Sequence, residues 1–318
     1  MTTISVAAAE FGRDMEQCYR TIGILIDQAR ERAADLLVLP EACLGGYLPS
    51  LGGGAENDEA RQRRLRNLPP ALELDGPELR RVAAMAGDLV VTLGFCEADG
   101  DTRYNAAVTL SGEGILGSYR KVHQPLGENL CYAAGSEYKA FDTPIGRMGM
   151  QICYDKAFPE AARSLALDGA EIITSLSAWP TARTEAAERL EDDRWKQRFD
   201  IYDRARALEN QLIWVASNQA GRFGSLRFVC SAKIVGPGGE ILADTGVEPG
   251  LATATVDVGH ELGLARGGGM YNLGDRRPEL YHSVVDRYGV IGQPDEPVLA
   301  SAAVPAGEHT AHRQGANQ

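Results

Sequence analysis

The sequence predicts an α/β fold in which helices alternate with short buried strands. Near the N-terminus, an apolar strand over residues 4–9 precedes a helix over 14–33 and a second apolar strand over 36–39. A similar succession occupies residues 146–179, where a strand, a helix that starts at Pro159 and another strand follow one another. Strands that alternate with helices of this length are typical of βαβ units, and therefore of layered α/β domains.

Hydrophobic spacing supports each predicted element in turn. Apolar residues at steps of three and four predict an amphipathic first helix: Met15, Cys18, Ile22, Leu25, Ile26 and Ala29. Residues 45–70 are rich in Gly, Pro and Arg and predict a long loop, with a polar helix around 56–67. The remaining predictions are a helix over 76–87, a strand over 89–95, a hairpin of 104–110 with 114–119, a helical region over 185–209, a strand over 213–216, a hairpin of 228–235 with 239–243 and a last strand over 251–258.

The stretch 146–179 also carries a candidate nucleophile. Cys153 follows the predicted strand and precedes the helix, so its sulfur lies near a helix N-terminus. The helix dipole and free main-chain N–H groups favour a thiolate at such a place. The alternative is a buried, inert cysteine, which is the commoner role of a free cysteine.

Composition limits the classes of function. The 318-residue chain has a formal net charge of −12, which argues against a general nucleic-acid-binding surface. Its six cysteines form no CxxC pair, and none lies at zinc spacing from a histidine, which indicates free thiols in a reducing compartment. The N-terminus lacks the features of a secretory signal, and no apolar run reaches the length of a membrane span. We therefore expect a cytoplasmic protein without a metal, cofactor, nucleic-acid or membrane partner.

Two further polar residues follow predicted strands. Glu41 comes directly after the strand over 36–39 and Pro40, and Lys121 comes directly after the hairpin strand that ends near residue 119. In α/β sheets, ligand-facing groups tend to lie beyond strand ends. Taken alone, Glu41 could equally be a solvated loop carboxylate, and a lysine such as Lys121 is more often a solvated surface residue than a catalytic one.

Together, the segments around these residues resemble the nitrilase superfamily of carbon–nitrogen hydrolases. The segments are LLVLPEACLGGY around Glu41, YRKVHQP around Lys121, GMQICYDKAFPEAARSLALDGAEII around Cys153, and the later hairpin SAKIVGPGGEILA. They occur in the family's order, and the resemblance runs from about residue 4 to about residue 281. It implies a single-domain, four-layer α-β-β-α sandwich over residues 1–285 and homodimers or larger homo-oligomers. Residues 286–318 are predicted to be a C-terminal extension that is largely disordered or serves as an oligomer arm.

The resemblance also implies roles for individual residues. Cys153 is the expected nucleophile, Glu41 the general base and acid, and Lys121 the oxyanion donor together with the main-chain N–H of Tyr154. Glu128, in a segment similar to the one that holds a second glutamate in many members, is expected to orient Lys121 and to contact the substrate nitrogen. The side chains expected to bind the substrate are Tyr154, Lys156, Trp179 and Asn218.

The sequence narrows the substrate class without fixing it. The residues after the cysteine, YDKAFPE, resemble those of amidases and N-carbamoyl amine or amino-acid amidohydrolases, whereas nitrilases proper tend to carry a Trp-Glu pair there. A small amide or N-carbamoyl compound is therefore favoured over a nitrile. The sequence also leaves room for a papain-like pair of Cys153 and His123, for a non-catalytic small-ligand-binding relative, and for a glutaminase that supplies ammonia to a partner. The sequence contains no HExxH pattern, so a zinc hydrolase is not expected.

Overall fold

The computed structural model describes residues 1–52 and 65–281. Its strands are β1 (Thr2–Ala9), β2 (Leu36–Val38), β3 (Leu72–Glu73), β4 (Val90–Asp99), β5 (Thr102–Ser111), β6 (Gly114–Arg120), β7 (Phe141–Thr143), β8 (Gly146–Ile152), β9 (Ile172–Ser177), β10 (Ile213–Gln219), β11 (Arg222–Phe223), β12 (Leu226–Arg227), β13 (Lys233–Val235), β14 (Ile241–Asp244) and β15 (Gly250–Val256). Its helices are α1 (Met15–Glu31), α2 (Pro77–Ala86), α3 (Pro159–Leu167), α4 (Arg194–Asn210), α5 (Val258–Gly267) and α6 (Pro278–Tyr281).

The strands form two sheet layers that share one corner. One layer has the order β6-β5-β4-β2-β1-β15, and the other has the order β7-β8-β9-β10-β13-β14. They join where Ala8 and Ala9 at the end of β1 pair with Asn218 and Gln219 of β10. Elsewhere the layers face each other, and Thr109 Oγ1 of β5 lies 3.3 Å from Met150 Sδ of β8.

Alternate residues of the central strands face opposite sides of their layer. Ile4 and Val6 of β1 belong to the core shared with the second sheet, whereas Ala7 belongs to the core under α1 and α2. This period of two is what a strand with both faces buried requires. The outer face of the second sheet is covered by α3 and α4 through residues such as Leu165 and Phe199. The result is a mixed α/β, α-β-β-α sandwich, which confirms the predicted fold class.

Helix starts follow local chemistry. The Asp14 carboxylate accepts the Gln17 N–H and caps α1, and a proline begins α2 and α3. The predicted helical region over 185–209 is wrong in its first part. Helix α4 starts only at Arg194, because the Asp193 carboxylate accepts the main-chain N–H groups of Ala182 and Trp195 and holds the preceding segment as a loop.

Two further predictions differ from the structure or lie outside it. The strand predicted over 228–235 is confirmed only for Lys233–Val235, since Cys230 and Ser231 adopt positive φ and interrupt it. The polar helix predicted around 56–67 lies mostly outside the described residues, and the predicted extension 286–318 lies wholly outside them. Within residues 1–52 and 65–281, no helix combines the length and the apolar character that crossing a membrane demands.

Candidate active site

Three strand ends converge on one buried cluster. Glu41 follows β2, Lys121 follows β6 and Cys153 follows β8. All three side chains are buried, and the exposed fraction of Cys153 is 4%. The predicted strand-end positions therefore do meet in space, and the side chain of Glu128 joins them from a 3-10 turn over Glu128–Leu130.

The Glu41 carboxylate is held by three donors. Its Oε1 accepts from Lys121 Nζ at 2.9 Å and from Asn105 Nδ2 at 2.6 Å, and its Oε2 accepts from the main-chain N–H of Ala178 at 2.6 Å. The main chain here also packs tightly, since a Cβ on Gly94 would lie 2.7 Å from Glu41 Cα. Glycine is therefore required at position 94 to let β4 pass this close to the Glu41 segment.

Lys121 lies between two carboxylates. Its Nζ donates to Glu128 Oε1 at 2.9 Å as well as to Glu41. Burial alone would lower the pKa of Lys121, but Glu128 and Glu41 raise it well above its ordinary value. The side chain is thus an ammonium in a site closed to bulk water, where its charge is weakly screened.

Glu128 is the less stabilised of the two carboxylates. Burial raises its pKa to about 7, although Lys121 and a hydrogen bond from Tyr47 act to lower it. Its Oε2 lies 2.8 Å from Lys121 Nζ but accepts no hydrogen bond of good geometry from the described residues. A buried oxygen without a donor is costly, so this atom is suited to an N–H group of a bound ligand.

Cys153 has an environment different from the one expected. Burial raises the pKa of its thiol well above the ordinary value, and Glu41 raises it further, against a smaller lowering by Lys121. Burial and the neighbouring Glu41 carboxylate thus act against the thiolate that a helix N-terminus favours. The residue also has a φ of 52°, a left-handed conformation that is rare outside glycine.

Asp155 organises the turn that carries Cys153. This turn is a 3-10 helix over Cys153–Ala157, and the buried Asp155 carboxylate accepts from the main-chain N–H of Ile152 and from the Tyr119 hydroxyl. It also accepts the main-chain N–H of His123, whose ring Nδ1 lies 3.0 Å from the same carboxylate. The His123 ring stacks on Phe158 at a centroid distance of 3.6 Å. The contacts of His123 within the described chain are thus with this supporting network rather than with the Cys153 sulfur.

A cavity of about 300 Å³ opens onto Cys153. Two residues expected to bind the substrate, Tyr154 and Trp179, line it. Sequence reasoning missed nine further lining residues: Tyr47, Leu51, Pro125, Leu126, Ala178, Pro180, Trp195, Arg198 and Tyr202. Trp195, Arg198 and Tyr202 are spaced three and four residues apart and therefore share one face of α4. This spacing predicts that they line the same surface, but not that the surface is the cavity.

Two predicted substrate-binding residues lie elsewhere. Lys156 is fully buried behind the turn, where its Nζ pairs with Asp203 Oδ1 at 2.6 Å and lies 3.5 Å from the centroid of the Phe199 ring. The expectation that it binds a substrate group is corrected, because this ion pair keeps its charge inside the protein. Asn218 holds the Trp179 main chain instead, and its Oδ1 accepts the Trp179 N–H at 2.8 Å.

The cysteines and the possible metal ligands were the remaining candidates for chemistry at this site. All six cysteines are buried thiols. In residues 1–52 and 65–281, His, Cys, Asp and Glu side chains form no group of three or more that could hold a metal ion.

Comparison with known proteins places this architecture in a family. The carbon-nitrogen hydrolase family model matches residues 4–261. A probable nitrilase of Schizosaccharomyces pombe is 32% identical over 65% of this chain and 74% of its own length, and N-carbamoylputrescine amidase of Solanum tuberosum is 29% identical over 87% and 93%. Among solved structures, an amidase from Nesterenkonia sp. AN1 has a TM-score of 0.68 at 23% identity, covering 89% of this chain and 97% of that one.

The family model spans most of the chain, and it includes the strand ends that carry Glu41, Lys121 and Cys153. The amidase structure independently supports the sandwich architecture. The protein therefore belongs to the carbon–nitrogen hydrolase family of the nitrilase superfamily.

Proposed function

We propose that the protein hydrolyses a non-peptide C–N bond of a small amide or N-carbamoyl compound through a covalent Cys153 intermediate and releases ammonia. One observation carries this proposal. An ammonium, two carboxylates and a thiol form one buried cluster next to a cavity of about 300 Å³. Amide carbons are poor electrophiles, so their hydrolysis needs an activated nucleophile of this kind.

In the first step, the Cys153 sulfur attacks the carbonyl carbon while Glu41 takes the thiol proton. A base is needed because the raised pKa of Cys153 keeps the resting thiol protonated. The main-chain N–H of Ala178 donates to Glu41 Oε2, and the Glu41 carboxylate is close enough to Cys153 to raise the pKa of its thiol. The oxyanion then forms beside the Lys121 ammonium and the main-chain N–H of Tyr154.

In the second step, the tetrahedral intermediate collapses. The C–N bond breaks, Glu41 returns its proton to the leaving nitrogen, and ammonia departs from an acyl-Cys153 thioester. Glu41 then removes a proton from water, which attacks the thioester carbon. The sulfur leaves and regains a proton, so the enzyme returns to its starting state.

Glu128 has a separate role in this scheme. Its Oε2 lies 2.8 Å from the Lys121 ammonium without a well-aligned hydrogen bond from the described residues, so it can accept one from the substrate's NH₂ group. We assign Glu128 to orienting Lys121 and to accepting this N–H group. Tyr154 and Trp179 form the part of the cavity wall that contacts the remainder of the substrate.

The alternative is a nitrilase that converts a nitrile and two waters to a carboxylate and ammonia. Relatives with nitrilase and N-carbamoylputrescine amidase names both match the chain. The Tyr154-Asp155 pair after the nucleophile favours an amide or N-carbamoyl substrate, as the sequence indicates. Asp155 also closes the nucleophile turn through three hydrogen-bond donors, so this pair is built into the turn.

We further infer a homodimer or larger homo-oligomer and a reducing, cytoplasmic location. Buried cysteines in the thiol form support the location. Exposed apolar side chains on neighbouring helices support self-association: Leu167 on α3 and Ile201 and Leu208 on α4.

A panel of small amides, N-carbamoyl compounds and nitriles tests the proposal, with released ammonia as the readout. We expect turnover of amides or N-carbamoyl compounds, carbon dioxide from the latter, and no turnover by Cys153→Ala. Cys43→Ala is the matched control, since Cys43 is equally buried but contacts the α1 core rather than the cavity. Turnover of nitriles alone would replace the proposal with the alternative. Full activity of Cys153→Ala would refute the nucleophile.

A further inference from the structure

Helix α4 presents one cation to the cavity. Trp195, Arg198 and Tyr202 all line it, and their spacing of three and four residues puts them on one helical face. The two aromatic rings offer apolar surface, whereas the Arg198 guanidinium offers up to five donors in a fixed plane. Arg198 is exposed at this rim, so its charge is available to a ligand.

The neighbouring cations of α4 are occupied. The nearest acceptors are the Thr184 carbonyl for Arg194 at 2.6 Å, Asp200 for Lys196 at 2.6 Å, the Gly239 carbonyl for Arg204 at 2.8 Å and the Lys156 carbonyl for Arg206 at 2.8 Å. Within the described ranges, Arg198 has neither a hydrogen bond nor an ion pair. A fold-stabilising contact therefore does not explain why a guanidinium stands at this position.

The described lining of the cavity carries positive charge and no negative charge. None of its described lining residues is Asp or Glu, and Arg198 is its charged lining side chain. The Glu41 and Glu128 carboxylates behind the cavity are already engaged by Lys121. A terminal ammonium on a ligand would thus face Arg198 without a counterion, whereas a terminal carboxylate would match the guanidinium fork. Lys156, the cation that the sequence suggested as a substrate-binding residue, is paired with Asp203.

We propose that Arg198 binds a terminal carboxylate of the substrate and makes the enzyme selective for small acids that carry an amide or N-carbamoyl group at the opposite end. This rests on the proposed function, and it names the substrate class of the same site. The cavity of about 300 Å³ has the volume of roughly ten water molecules. It therefore suits a chain of a few carbons between the carbonyl carbon and the carboxylate.

Charge-matched substrates test this assignment. N-carbamoyl-4-aminobutanoate, N-carbamoyl-1,4-diaminobutane and N-butylurea have similar length and differ in the charge of the far end. 5-Amino-5-oxopentanoate and pentanamide form the corresponding amide pair. For each series, kcat/KM is measured by ammonia release in the wild type, Arg198→Gln and Arg198→Glu. Arg194→Gln is the matched control, since Arg194 lies on the same helix one turn away and donates to Thr184.

We expect the wild type to prefer the acid over the neutral compound. Arg198→Gln should lower this preference roughly tenfold or more, because it removes a charge-assisted hydrogen bond at a partly solvated site. Arg198→Glu should reverse it in favour of the amine, and Arg194→Gln should leave it unchanged. The wild-type preference should also shrink as salt is added, since exposed charges are screened. An acid preference that survives in Arg198→Gln, or that falls equally in Arg194→Gln, would overturn the proposal.

A binding experiment separates failure of this assignment from failure of the proposed function. Binding of N-carbamoyl-4-aminobutanoate and 5-amino-5-oxopentanoate is measured by calorimetry with Cys153→Ala and with Cys153→Ala/Arg198→Gln. Tighter binding of the acids that is lost in the double variant supports the carboxylate site even if no compound is turned over. Equal binding by the two proteins overturns the carboxylate site, whatever the outcome of the turnover assays.

Discussion

Lys121 contacts two carboxylates that differ in their hydrogen bonds. Glu41 accepts hydrogen bonds at both oxygens, whereas Glu128 Oε2 lies 2.8 Å from the Lys121 ammonium without a well-aligned hydrogen bond from the described residues. Burial raises the pKa of Glu128 to about 7. This difference between the two residues fits Glu41 as the base and Glu128 as the acceptor that orients the substrate.

The raised pKa of Glu128 predicts a pH dependence. If ionised Glu128 accepts the substrate N–H, kcat/KM should rise as pH increases through about 7. Lys121 adds no loss on the alkaline side, because its pKa is raised well above the ordinary value. Glu128→Gln should lower kcat/KM by roughly 10- to 100-fold and remove the limb near pH 7. A pH–rate profile of both proteins checks this, and an unchanged limb in Glu128→Gln would contradict it.

The same shift predicts a stability change of known sign. The folded-state pKa of Glu128 is about 7 against an ordinary value of 4.5, so between these pH values the folded protein holds a proton that the unfolded chain has lost. The contribution of Glu128 to the free energy of unfolding therefore falls as pH rises from 4.5 to 7. Urea unfolding at several pH values should show this slope in the wild type and a shallower one in Glu128→Gln. The same pH dependence of the free energy of unfolding in both proteins would argue against a raised pKa of Glu128.

Lys121 and His123 can be distinguished by substitution. Lys121→Ala should lower kcat roughly 10²- to 10³-fold, as expected for loss of an oxyanion donor. His123→Ala should have a much smaller effect, because its ring contacts Asp155, Tyr138 and Phe158. Steady-state kinetics measures both, with far-UV circular dichroism as the control for folding. The reverse order of effects would favour a pair of Cys153 and His123.

The main members of the site were predictable from sequence, but their supports were not. Glu41, Lys121 and Cys153 each follow a strand within a segment that resembles the family. Asn105 and Tyr47 were missed, since their contacts with Glu41 and Glu128 join residues 64 and 81 positions apart. Lys156 was misassigned because sequence position near the nucleophile does not reveal that α4 supplies Asp203 as its partner.

At the scale of elements, Asp203 connects the nucleophile turn to α4 and the second sheet. Its carboxylate accepts from Lys156 Nζ at 2.6 Å, from Trp214 Nε1 at 2.9 Å and from Lys233 Nζ at 3.1 Å. These donors come from the nucleophile turn, β10 and β13. Phe199 fills the space between the two lysines. This buried carboxylate therefore helps to fix the cavity-facing side of α4 relative to the nucleophile turn, together with the bond from Arg206 to the Lys156 carbonyl.

Asp203→Ala should be strongly destabilising. It would leave the buried Lys156 ammonium without its counterion, and Lys233 would keep Asp200 alone. Removing one partner of a buried pair typically costs about 3–5 kcal/mol. Urea unfolding monitored by circular dichroism measures the change. Glu16→Ala, which breaks an exposed pair with Arg81, is the control and should leave the midpoint nearly unchanged. Equal effects of the two substitutions would contradict the proposed importance of the buried network.

Element boundaries show where local signals are sufficient. Helix α1 was predicted well, because its apolar spacing and its Asp14 cap are both local. The start of α4 was not, because Asp193 acts both as its cap and as the acceptor for Ala182 in the preceding loop. A long charged segment has no apolar period that marks the change from loop to helix.

At the scale of the whole molecule, the sandwich leaves apolar side chains uncovered on its outer helices. Leu167 is 50% exposed, Ile201 66% and Leu208 52%. A homodimer or larger assembly would bury this surface, and we expect sedimentation velocity to show one at micromolar concentration. Ile201→Glu should weaken it, whereas Ile24→Glu on α1, at 56% exposure, should not. A wild-type protein that sediments as a monomer would contradict this prediction.

The layered fold was predictable only in part from periodicity. Alternation and helical spacing indicated βαβ units, but the second sheet and its face-to-face packing came from the family resemblance. The reason is physical: the corner where β1 leaves β15 and meets β10 rests on pairs of residues about 210 positions apart. Such pairs leave no local pattern in one sequence.

In the proposed mechanism, Cys153 carries the acyl group during turnover. The most direct test is rapid acid quench of the enzyme during turnover of 5-amino-5-oxopentanoate or pentanamide, followed by mass spectrometry of the intact protein and of its peptides. We predict an adduct with the mass of the substrate acyl group, located at Cys153 and absent from Cys153→Ala. Glu41→Gln should slow both its formation and its hydrolysis. Turnover with no adduct on Cys153, or with an adduct on another cysteine, would contradict a covalent Cys153 intermediate.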